Sequence, residues 1–128
     1  MSTANAKQVG GDHYQTNNGY QHWDLMKDLG LPYHPATATK YLTRWRKKNG
    51  RQDLEKALHY VQKTLEIARA HERSMIDDVD GFLTGHSDMG LGESRALRRI
   101  AAAFAPNVMW LEEAEDIIKG LIESTENA

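Results

Sequence analysis

The sequence contains no cysteine. That excludes disulfide staples and thiolate metal sites, and predicts a reducing cytoplasmic setting. No apolar run approaches the roughly 18–20 residues of a membrane span, and the opening MSTANAKQVGG lacks the apolar segment of a signal peptide. The Walker A pattern GxxxxGK[ST] is missing, as are GxGxxG, HExxH and GxSxG, so none of the chemistries tied to those motifs is indicated. The six histidines include no i, i+4 pair, which argues against zinc, and no metal site is predicted. Sustained period-2 alternation is also lacking, which leaves an all-α fold.

What the chain does have is ordinary bulk and uneven charge. Its 128 residues suit one domain, and 40% apolar with 27% charged residues is normal for a globular protein. The net charge of −2 hides an asymmetry. Residues 1–75 carry twelve Lys/Arg against seven Asp/Glu, whereas residues 76–128 carry four against eleven. A duplex-DNA binder is usually basic overall, so specific duplex binding is not expected. A local anion site, or self-association of basic on acidic faces, fits the balance better.

The densest positive charge lies in Lys40–Tyr60, KYLTRWRKKNGRQDLEKALHY. Its first twelve positions hold Lys40, Arg44, Arg46, Lys47, Lys48 and Arg51 with no acid among them. On one continuous helix Lys40, Arg44, Lys47 and Lys48 share a face. Ala38, Tyr41, Leu42 and Trp45 have the spacing of an apolar stripe on another. Such a surface suits phosphate; a solvated basic face is the alternative.

In chain order, residues 1–9 predict a mobile tail. Gly10-Gly11-Asp12-His13-Tyr14 follows, pairing glycines that permit close backbone approach with an acid, an imidazole and a phenol. A plain turn with a packed tyrosine is the simpler reading of those five. A short helix is predicted from His22 to Leu29, burying Trp23, Met26 and Leu29 and ending at Gly30. A second runs from Pro35 to about Lys48, ended by Asn49-Gly50. A third spans about 52–76, led by Asp53, with Leu54, Ala57, Leu58, Val61, Leu65 and Ala68 as its stripe. The last two form a central antiparallel αα-hairpin (about 35–49 and 52–76).

Residues 77–92, with four glycines and four aspartates, read as a linker or lid. Asp78, Asp80 and Gly81 suggest a calcium loop, but the ligands and closing Glu of an EF-hand are missing. A C-terminal helical pair is predicted over 93–124. Its first helix turns Leu97, Ile100, Ala101 and Phe104 inward. The second, capped by Asn107, buries Leu111, Ala114, Ile118, Leu121 and Ile122. About five helices result, with residues 10–76 as the core unit and the pair packing on it or on a neighbouring subunit.

GGDHY, then HWDL, then KYLTRWRKKNGRQDLEKALHY resembles the small SaV-like domain family found largely in bacteriophages. The resemblance covers roughly residues 9–68. Some relatives are described as nucleotide kinases without a P-loop, acting on deoxynucleoside monophosphates. The resemblance implies a nucleotide ligand and action in the host cytoplasm during phage infection. Gly11, Asp12, His13 and Tyr14 match its first signature, and Trp23 and Asp24 its second. Lys40, Tyr41, Arg44, Lys47, Asn49, Gly50, Asp53, Leu54, Lys56, Ala57 and Tyr60 match its third, with Arg46, Lys48 and Arg51 outside it.

Phosphoryl transfer needs positioning and charge neutralisation more than covalent help. Asp12 and His13 are the candidates to orient the acceptor or act as base. Gly11, Tyr14, Trp23, Lys40, Arg44, Lys47, Asn49, Asp53 and Lys56 are the candidates to hold a nucleotide and its phosphates. Magnesium, carried by a nucleoside triphosphate, is compatible with these residues and not demanded by them. Two other readings use the same residues: nucleotide binding without chemistry, and an oligomeric structural adaptor.

Overall fold

The computed structural model describes residues 3–126. Among them are five helices of eight residues or more and no strand. The helices are α2 (His22–Leu29), α3 (Tyr33–Arg44), α4 (Arg51–Thr84), α5 (Leu91–Ala103) and α6 (Val108–Glu126). A four-residue turn of helix, α1 (Thr3–Ala6), precedes them.

The first half of α4 is the spine. Its apolar residues recur at helical spacing, so Leu54, Ala57, Val61, Leu65 and Ala68 all fall on one buried face. α3 and α6 cover that face from two sides. Ala38 on α3 and Ala57 on α4, with nothing beyond Cβ, let those helices pack closely. Ile118 of α6 closes the cluster, with Tyr41, Leu58, Tyr60, Leu111 and Ile122 around its rim. Burying a side chain the size of Leu65 contributes roughly 1.5–3 kcal/mol. The predicted αα-hairpin and the α6 stripe are therefore present.

The helix ends partly follow the expected local rules. Gly30 takes φ 65° and returns its N–H to the Met26 carbonyl at 2.8 Å. Asn107 Oδ1 accepts the Trp110 N–H at 3.1 Å and so caps α6.

Several boundaries differ from expectation. α3 begins at Tyr33 and stops at Arg44, not Lys48, and Trp45–Gly50 is a turn. Gly50 returns its N–H to the Trp45 carbonyl at 2.8 Å, closing the loop before the helix can continue. Lys47 therefore leaves the helical face assigned to it. α4 runs on to Thr84, so the expected 77–92 linker shrinks to the turn between Thr84 and Leu91. A glycine inside a helix costs only about 1 kcal/mol, and a long cooperative helix carries Gly81 without breaking.

The C-terminal helices do not pack as a mutual pair: α6 lies along α4, while α5 only touches α4. Ile100 and Phe104, expected inward, are 65% and 88% exposed. Trp23 and Leu29 of α2 are likewise more than half exposed.

Asn5 links the start of the chain to α2. Asn5 donates to Asp24 Oδ2 at 2.8 Å, and its side-chain oxygen accepts the Trp23 indole N–H at 2.7 Å. Its carbonyl accepts from the Gln21 amide. Within the tail expected over 1–9, Asn5 thus bonds to α2, while Thr3, Ala4, Ala6, Lys7 and Val9 are exposed; Met1 and Ser2 fall outside the described residues.

Candidate functional site

The turn between α3 and α4 is built around one buried carboxylate. Asp53 is 0% exposed. It accepts from Arg44 Nε and Nη2, both at 3.2 Å, from the Asn49 backbone N–H at 3.2 Å and from the Asn49 amide at 3.4 Å. Burial alone would raise its pKa, but Arg44 and Asn49 outweigh that and hold it below the ordinary carboxylate range. Arg44 spends its remaining reach on Tyr14, whose hydroxyl accepts from Nη1 at 3.0 Å. Burial would lower the Arg44 pKa, and the bonds to Asp53 and Tyr14 raise it on balance. One arginine thereby ties the glycine-led loop to the hairpin.

Of these three predicted ligand-binding residues Asp53 is wholly buried, Arg44 is largely buried and Asn49 is exposed in the turn.

Above the network, cations gather on a tyrosine. Arg44 Cζ, Lys56 Nζ and Lys40 Nζ lie 4.7, 5.3 and 5.5 Å from the Tyr41 ring centroid. An aromatic face attracts cations through its quadrupole, which lets like charges sit close together. Tyr41 in turn stacks on Tyr60, with centroids 6.0 Å apart. Sequence reasoning placed Tyr41 on the apolar stripe and missed this second use. Its place between Lys40 and Arg44, one turn apart, is the signal that could have shown it.

The glycine-led loop brings its polar groups to the same end. Gly10 and Gly11 take φ 81° and 126°, which only glycine adopts without strain. A Cβ on Gly11 would come into van der Waals contact with His13 Nδ1, at 3.4 Å, so the backbone conformation rather than space is what calls for glycine. His13 and Tyr14 have ring centroids 4.2 Å apart. Burial first, then the charges of Lys48 and Arg44, push the His13 pKa below its ordinary value. Lys48, outside the family-like signature, is thus the turn lysine whose charge reaches His13. Lys47 is exposed in the turn, with its N–H bonded to the Arg44 carbonyl at 2.9 Å. Asp12 is exposed, and its carbonyl accepts the Gln15 N–H at 3.0 Å in a loop turn.

Beside this cluster opens a cleft of about 550 Å³ between the N-terminal segment and α2–α3. Tyr14, Trp23 and Lys40 line it, joined by Lys7, Gln21 and His22. Trp23 stands 52% exposed, its indole pinned by Asn5. His22 Nε2 lies 2.9 Å from Thr39 Oγ1, whose hydroxyl donates to the Ala36 carbonyl at 2.8 Å. Burial first, then the charge of Lys40, hold the His22 pKa below its ordinary value. Of the predicted residues, the structure brings Tyr14, Trp23 and Lys40 together in the cleft, and places His13 and Lys56 close by. Lys7, Gln21 and His22 were not foreseen as lining, since only the docking of the N-terminal segment forms that wall.

Among the described residues no group of three or more His, Cys, Asp or Glu could hold a metal ion, and no helix is long and apolar enough to cross a membrane.

The model of a family described as a protein of unknown function (DUF3310) matches residues 9–62. Its span takes in the glycine-led loop, α2, α3, the Asp53 network and the first third of α4. No curated protein and no solved structure matches the chain.

Proposed function

We propose that the cleft beside Tyr14, Trp23 and Lys40 binds a nucleotide. The observation that carries this reading is the pairing of a half-open indole with lysine ammonium groups in one 550 Å³ cleft. Small-ligand sites typically enclose about 300–1,000 Å³. Trp23 offers a face on which a base can stack, a contact worth roughly 1–3 kcal/mol. Lys40 and Lys7 offer charge-assisted bonds to phosphate oxygens. The Arg44–Asp53 network holds Tyr14 and the hairpin in register beneath.

The same site supports phosphoryl transfer from a nucleoside triphosphate to a deoxynucleoside monophosphate. A monophosphate oxygen would attack the γ-phosphorus as its bond to the diphosphate breaks. Lys40, Lys56 and Lys48 would offset the charge on the phosphates, and magnesium would arrive with the triphosphate. His13 favours this reading, because a lowered pKa keeps it uncharged at neutral pH and able to accept a hydrogen bond or proton. With the bacteriophage resemblance, the place of action would be the host cytoplasm.

Calorimetry and Trp fluorescence against a panel of deoxynucleoside mono- and triphosphates test the binding. Lys40→Ala should weaken it about 10-fold or more, the loss of one charged hydrogen bond, and Trp23→Ala should weaken it similarly. Failure of every nucleotide to bind would remove the proposal. Conversion of monophosphate to diphosphate tests the chemistry. Binding without turnover, with and without magnesium, would leave a nucleotide-binding protein that sequesters a signal nucleotide or regulates replication.

A further inference from the structure

Along the seam between α3 and the start of α4, aromatic rings run into one another. Tyr33 packs edge-on against Tyr60 with centroids 6.1 Å apart, and Tyr60 stacks on Tyr41 at 6.0 Å. His34 and His59 flank Tyr60 at 6.3 and 6.2 Å. Tyr41 and Tyr60 are half-buried and lean on the core, whereas Tyr33 is 66% exposed. Tyr33, His34 and His59 belong neither to the cleft nor to the buried core. A lone exposed ring is ordinary, but Tyr33 is the open end of a row.

The charges along the same seam are one-sided. Residues 33–52 hold six Lys/Arg and no Asp/Glu. α4 adds Lys56, which shares the Tyr41 ring with Lys40. On the α6 side of α4 the cations are answered: Arg51 reaches Glu126, and Arg69 reaches Glu112 at 3.7 Å. Among the described residues no carboxylate pairs with Lys40 or Lys56. Cations gathered on a tyrosine face without counter-charge attract phosphate.

We infer that this seam binds single-stranded nucleic acid, with Lys40 and Lys56 on its phosphates and Tyr33 as the platform for a base. Cations interleaved with aromatic faces hold unpaired strands without sequence preference. A duplex keeps its base faces in the stack, so it could use the lysines but not Tyr33. An acidic peptide would likewise use the charges and leave the ring idle. A mononucleotide in the cleft reaches Lys40 but not Tyr33, about two helical turns away along α3. A strand can span both. Lys40 lines the cleft and also lies over Tyr41, so the two surfaces meet there. Strand binding on the seam does not depend on a nucleotide in the cleft.

Fluorescence anisotropy of a labelled thymidine oligonucleotide of about ten residues, titrated with the full chain at low salt, should show saturable binding. Affinity should fall as salt rises, with a log–log slope of about −0.7 for each phosphate neutralised. Lys56→Ala should flatten that slope by about 0.7. Tyr33→Ala should weaken strand binding about 10-fold, with Tyr33→Phe close to the parent. Tyr33→Ala should leave the circular dichroism and any mononucleotide binding in the cleft unchanged. A uridine strand run in parallel tells ribose from deoxyribose, and saturable binding of either supports the inference. Failure of both strands to bind would overturn it, as would equal affinity for a duplex of the same length. Displacement by polyglutamate as readily as by unlabelled strand, or strand binding indifferent to Tyr33→Ala, would overturn it as well.

Discussion

Arg44 and Asp53 meet across the α3–α4 turn through two N–H···O bonds of 3.2 Å, with the carboxylate wholly buried and the guanidinium side chain 12% exposed. The pair fixes where α3 ends and α4 begins, and through Tyr14 it fixes the glycine-led loop. Breaking one half of a buried pair leaves the other charge without a partner, at a cost of about 3–5 kcal/mol. Asp53→Asn should therefore lower the urea midpoint by that equivalent. Arg44→Met/Asp53→Leu should lose less than the sum of its single changes, and a double-mutant cycle measures the difference.

The same pair sets an acid limit. Asp53 has a depressed folded pKa, so its full stabilisation is present above the ordinary carboxylate value of about 3.9. As the pH falls below that value the unfolded chain protonates first, and stability declines until the folded pKa is passed. Denaturation midpoints measured at successively lower pH should fall more steeply for the parent than for Asp53→Asn.

Gly50 takes φ 58° and ψ −128°, a conformation closed to residues with a Cβ even though nothing lies within 4 Å of where one would sit. Gly50→Ala should destabilise by about 1–3 kcal/mol through backbone strain alone. Gly81→Ala, inside α4, should stabilise slightly instead, by up to about 1 kcal/mol. Thermal melts of the two variants should move in opposite directions.

His13 should titrate below the ordinary histidine value of about 6.5 in the free protein, because burial, Lys48 and Arg44 all disfavour its charged form. Lys48→Ala should move its titration upward, and Lys47→Ala should move it less. A phosphate bound nearby should also raise it. NMR of the imidazole ring across pH, with and without nucleotide, reads all three shifts.

The α4 stripe was legible because 3.6-residue periodicity is a local signal that needs no knowledge of the partner helix. Residue composition misled where cooperativity dominates, since Asp77, Asp78, Asp80 and Gly81 look like a linker yet lie within a helix already nucleated upstream. In the site, the residue types around Tyr14, Trp23 and Lys40 were readable. The burial of Asp53 was not, because the same Asp at a helix start serves equally well as an exposed cap. Nor was the separation of Lys47 from Lys48, which follows from a turn that Gly50 and Asp53 close together. Ile100 and Phe104 have the spacing of core residues, and spacing alone cannot say whether a neighbouring helix covers them.

At about 1.5 Å per residue, the 34 residues of α4 form a rod roughly 50 Å long. The Asp53 network sits at its first turn, while α5 packs near its far end. A substitution on α5 should therefore leave ligand binding in the cleft unchanged, so the two ends of the rod can vary independently.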